Sequence, residues 1–114
     1  MNPILEVYFF KSESGAEPVR EWLRDLPALD RKIAGEDIKT IQFGWPLGMP
    51  LVGHLDGDIW EIRIKLDRRI ARILFVTKKG TMVLLHGFIK KNQKTPKPDL
   101  DLAKARLKQL RRKK

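Results

Sequence analysis

Hydrophobic positions along this chain follow two rhythms. From residue 59 onward, the runs IWEIRIK, IARILFV and TMVLLHGFIKK are dominated by apolar and β-branched residues and separated by the turn-prone pieces LDRR and TKKG. That pattern predicts three strands of an antiparallel meander. Near the N-terminus, ILEVYFF (4–10) predicts a further strand, and its apolar residues at both parities place it in the interior of the sheet. The period then changes. Val19, Trp22, Leu23 and Leu26 recur at i, i+3, i+4 and i+7, which predicts a short amphipathic helix stopping near Pro27. Ser14 and Glu17 have the spacing of a capping box for it. A second helix is expected from about Leu29 to Phe43, with Ile33, Ala34, Ile38 and Ile41 inward and Gly44 and Pro46 ending it.

The segment GWPLGMPLVGHLDGD is too rich in Gly and Pro for a regular element, so a structured loop is expected, pinned by Trp45, Leu47, Met49 and Leu51. After the meander, Thr95 and Pro96 supply a cap and first turn for a terminal helix, which Pro98 can delay to Asp99. Leu100, Ala103, Leu107 and Leu110 line one face of it. The predicted order is β-α-α-β-β-β-α: an α+β fold in which an N-terminal helical hairpin covers one face of a mainly antiparallel sheet. The other face is left for the terminal helix or a ligand. Without repeats or linkers, residues 1–114 read as one domain with a basic helix and tail from about 96.

Composition narrows the function. No cysteine is present, which removes disulfides, thiolate zinc sites and cysteine nucleophiles. No apolar run is long enough to span a bilayer, and MNPILEVYFFKSE lacks the basic start and cleavage site of a signal peptide, so a cytoplasmic protein without a membrane partner is expected. The charge is uneven. Residues 1–58 hold six Lys/Arg against ten Asp/Glu, and residues 59–114 hold eighteen against four. A net +14 concentrated in the second half predicts a polyanion or an acidic partner.

Long cations interrupt the meander at Arg63, Lys65, Arg72, Lys90, Lys91 and Lys94, where a purely structural core would not tolerate them without partners. Arg63 and Lys65 alternate with Glu61 on one face, opposite Trp60, Ile62 and Ile64. Arg72 lies between Ile70 and Leu74, within reach of a salt bridge to Glu61, whose expected work is to orient Arg63 or Arg72. His86, facing with Leu84 and Phe88, reads as a satisfied core histidine. Trp60 reads as core and Trp45 as the pin of its loop, while His54 in the Gly/Pro loop reads as more exposed, with stacking on a base the less favoured role.

The segments IWEIRIK, RIARILFV and VLLHGFIKKNQKTP, followed by DLAKARLKQL, resemble the RelE/ParE superfamily of toxins from type II toxin–antitoxin modules, in particular the phage-derived HigB-like branch. The resemblance covers nearly the whole chain. It implies a small twisted sheet with a concave basic face and an mRNA interferase, a metal-independent endoribonuclease that cuts messenger RNA on the ribosome with no cofactor. It further implies a helix-turn-helix (HigA-like) antitoxin as partner in a hetero-oligomer. By the same resemblance Arg63, Arg72, Lys90 and Lys91 are the catalytic cations, and Lys65, Arg69, Gln93, Lys94 and Thr95 grip RNA. ParE-like relatives instead inhibit DNA gyrase, and a degenerate phage protein would only bind nucleic acid, so the fold does not decide between them. The chain departs from the sharper pattern in one respect. Its only tyrosine is Tyr8 and no histidine follows His86, so the resemblance assigns no general acid or base.

Overall fold

The computed structural model describes residues 2–90 and 94–112. Its elements run β1 (Glu6–Phe9), α1 (Pro18–Arg24), α2 (Ala28–Gly44), β2 (Val52–Asp56), β3 (Ile59–Leu66), β4 (Arg69–Lys78), β5 (Thr81–Lys90) and α3 (Lys97–Arg112). The strands make one twisted sheet in the order β1-β5-β4-β3-β2. Strands β2 to β5 form the antiparallel meander, and β1 joins β5 in parallel. At the β4–β5 turn Lys79 and Gly80 both take positive φ (46° and 79°), the backbone that suits the twist of a tight hairpin.

Side-chain alternation sorts the sheet into two cores. On one side Ile62, Ile64, Ala71, Ile73, Phe75 and Leu84 meet Val19 of α1 and Ala34, Ile38 and Ile41 of α2. On the other, Ile59, Leu74, Val76 and Leu85 meet Ala103 and Leu107 of α3, with Leu100 and Leu110 packed alongside, as the helical spacing predicts. Salt bridges from Lys104 to Asp56 and from Arg111 to Asp58 tie α3 to the β2–β3 hairpin. Trp22 of α1 lies flat against β5 because Gly87 has no side chain; a Cβ there would sit 2.5 Å from Trp22 Cε3.

Four expectations are corrected. The Gly/Pro segment contains a regular strand, β2, whose Val52 is buried and pairs with Ile62. The strand β1 lies at a sheet edge, with Tyr8 52% exposed, so its apolar pattern does not mark an interior position. The Ser14 cap is not formed. Its hydroxyl bonds Ser12, α1 begins at Pro18, and the Glu21 carboxylate accepts the Glu17 N–H. Finally, β5 carries a bulge. Leu74 pairs with His86 and Phe75 with Leu84, so Leu84 enters the α2 core while His86 turns to α3.

Candidate functional site

The α3-facing side of β3 and β4 brings Glu61, Arg63 and Arg72 together, because Arg63 and Arg72 are direct cross-strand partners and Glu61 stands two residues before Arg63. Glu61 is the hub and is buried, at 3% exposure. Both its carboxylate oxygens accept from Arg72 Nη1 at 2.9 Å, and Oε1 also accepts from Arg63 Nε at 3.0 Å. Thr95 closes the network from the segment before α3: its hydroxyl donates to Glu61 Oε2 at 2.8 Å and accepts from Arg72 Nη1 at 2.9 Å. Burial is the main influence on the Arg72 guanidinium, lowering its pKa; Glu61 opposes that and Arg63 adds to it.

Lys90, at the end of β5, completes the cluster. It is 5% exposed, and its Nζ has no hydrogen-bond partner among the described residues. Burial, then the charge of Arg72, then that of Arg63 push its pKa down to about 8, with Glu61 opposing. Three cations thus share one carboxylate. The surplus of positive charge sits where water is largely excluded, an arrangement that favours binding an anion.

Beside the cluster runs a cleft of about 570 Å³, between α2 and the stretch of β3 that outruns β2. Arg63, Lys65, Ile70 and Arg72 line it from the sheet, Pro50 and Leu51 from the loop, and Ile33 and Asp37 from α2. Arg63 and Arg72 therefore belong to both the cluster and the cleft. The loop is held in place by the Arg63 N–H, which donates to the Leu51 carbonyl at 2.7 Å.

The remaining candidates divide. Lys65 is exposed at the cleft and Lys94 is exposed beyond β5. Arg69 is not with the cluster: it reaches α2, where its Nη2 donates to the buried Asp30 at 2.8 Å. Lys91 and Gln93 lie outside the described residues. Thr95 spends its hydroxyl within the network. His86 Nε2 meets Asp99 Oδ1 at 2.6 Å, its Nδ1 lies 3.4 Å from Arg106 Nη1, and its ring stacks on Phe88. It fastens α3 to the sheet, as a satisfied histidine would. His54 packs edge-on against Trp60 and bonds the Gly57 carbonyl, and Trp45 meets Trp60 at 5.3 Å in the α2 core. Both tryptophans are partly buried and pack against the α2 core.

Two participants escaped the sequence reading. Asp37 shares a face of α2 with Ile33, four residues away, but only the fold places that face on the cleft. Asp99, the partner of His86, carried no signal, since its contact depends on how α3 docks. Residues 21–108 match the family model described as phage-derived protein Gp49-like (DUF891). No curated protein matches the chain.

Proposed function

The chain belongs to the phage-derived Gp49-like family, a family of RelE/ParE-like toxins, and we propose that it cuts messenger RNA on the ribosome as the toxin of a type II toxin–antitoxin module. The observation that carries this reading is Lys90: a buried ammonium without a hydrogen-bond partner among the described residues, beside two arginines that share a single carboxylate. A scissile phosphate supplies the missing negative charge. Retaining such a cation costs stability, which is the usual mark of a group kept for chemistry.

In this reading Arg63 contacts the phosphoryl oxygens from the cleft, the buried Lys90 adds its charge behind it, and Arg72 holds Glu61 so that Arg63 is aimed. The 2′-oxygen bonds to phosphorus and its proton passes to water. The bond to the 5′-oxygen breaks as water gives that oxygen its proton, while Lys90, protonated at neutral pH, stabilises the charge that develops on the phosphate. The products are a 2′,3′-cyclic phosphate and a 5′-hydroxyl end, and no metal is required. The exposed cations Lys65 and Lys94 hold the RNA strand by its phosphates. A HigB-like toxin of this kind is neutralised by a helix-turn-helix antitoxin whose acidic side chains cover the basic face.

Primer extension on a defined message, with purified protein and with or without translating ribosomes, tests this. Cuts at codon spacing that require ribosomes and disappear with Arg63→Ala support it. Cuts on naked RNA alone retain a ribonuclease and remove the ribosome. A growth-arresting protein that cuts nothing overturns the reading in favour of a gyrase inhibitor.

A further inference from the structure

The cleft beside the cationic cluster has the parts of a base-recognition site. Its walls are apolar at Ile33, Pro50, Leu51 and Ile70, and Ile70 is 38% exposed, an aliphatic surface left open to a flat ring. A volume of about 570 Å³ falls within the range of small-ligand sites. One end carries Arg63 and Lys65, and the α2 side carries Asp37. Asp37 is half-buried, yet among the described residues it has neither hydrogen bond nor ion pair, although cations line the same cleft. Burial, and secondarily Glu36, raise its carboxyl above the ordinary aspartate value. Both of its oxygens are thus available and poorly solvated.

A carboxylate accepts hydrogen bonds and donates none, which selects among bases by their edges. Guanine alone presents two adjacent donors, N1–H and N2–H, to a single carboxylate. Adenine and cytosine place a ring acceptor beside their amino group, and uracil flanks its one N–H with two carbonyls. Like partial charges then face the Asp37 oxygens. From this geometry we infer that the cleft binds a guanine nucleotide of the RNA, its phosphate toward Arg63 and Lys65 and its Watson–Crick edge on Asp37. This rests on the RNA-cleaving reading only for the identity of the polymer; it makes Asp37 the residue that selects where the chain is cut.

The test uses the four nucleoside 3′,5′-bisphosphates, which contain no scissile linkage, titrated into the full-length protein and followed by amide NMR shifts. The guanosine compound should bind roughly tenfold or more tightly than the other three, the scale of one bidentate base contact. Asp37→Asn should bring the four affinities together, and Lys65→Ala should weaken all four alike. Asp37 is partly exposed, so the variant should fold; unchanged amide dispersion outside the cleft checks that. Equal binding of the four, a guanine preference that survives Asp37→Asn, or no binding overturns the inference. Cleavage mapping keeps the two ideas apart: cuts without any guanine preference remove the pocket and leave the nuclease. Guanosine bisphosphate binding by a protein that cuts nothing leaves the pocket and removes the nuclease.

Discussion

Replacing Lys90 by methionine should make the protein more stable at neutral pH. A pKa lowered from 10.5 to about 8 means that burial, together with the charges of Arg72 and Arg63 and net of Glu61, penalises the protonated amine by about 3 kcal/mol. Below pH 8 the folded and unfolded chains both hold the proton, and the penalty is fully present. Between about 8 and 10.5 the folded protein has lost that proton while the unfolded chain keeps it, so wild-type stability rises with pH across this window. Methionine fills the same space with a flexible apolar stem and carries no charge. Lys90→Met should therefore gain up to about 3 kcal/mol at pH 7, and most of that gain should vanish by about pH 10. Urea unfolding of both proteins at the two pH values, followed by tryptophan fluorescence, measures the difference and cancels the other titrating groups. A variant no more stable than wild type at pH 7, or a gain that does not shrink with pH, refutes the view of Lys90 as a buried cation in want of an anion.

Two further substitutions probe the frame. Glu61→Gln leaves Arg72 and Arg63 without their carboxylate and should cost about 3–5 kcal/mol in urea unfolding; a loss under about 1 kcal/mol contradicts the hub role. Gly87→Ala drives a methyl into the Trp22 ring and should cost about 1–3 kcal/mol, with a smaller loss in a Trp22→Leu background. Equal losses in the two backgrounds would locate the strain elsewhere.

Strands β3, β4 and β5 of the meander were legible in the sequence because each is a long run of β-branched and aliphatic residues bounded by charged turns. So was the pairing of Glu61 with Arg63 and Arg72, since strand alternation sets those three opposite Trp60 and Ile62. The strand β2 was not, because Gly53 and His54 dilute the signal of a short edge strand that gains its order from β3. Parity alone separates Arg69 from Arg72: three residues apart on one strand, they must face opposite sides, and Arg69 accordingly ends on Asp30. The bulge that divides Leu84 from His86 has no counterpart in the pattern: strict alternation keeps those two on one face, whereas the extra residue Leu85 leaves Leu84 in one core and turns both Leu85 and His86 to the other side. Asp37 was passed over because a lone acid on a helix ordinarily faces water; only the cleft gives it meaning.

In the proposed reaction the cationic cluster around Lys90 breaks RNA. Single-turnover cleavage of one ribosome-bound message by wild type and by Lys90→Met, with the fragment ends identified, tests it most directly. Wild type should give 5′-hydroxyl ends at a rate that falls above pH 8 as Lys90 loses its charge, and the variant should lose about a hundredfold or more despite its greater stability. Cleavage by Lys90→Met at the wild-type rate would contradict it.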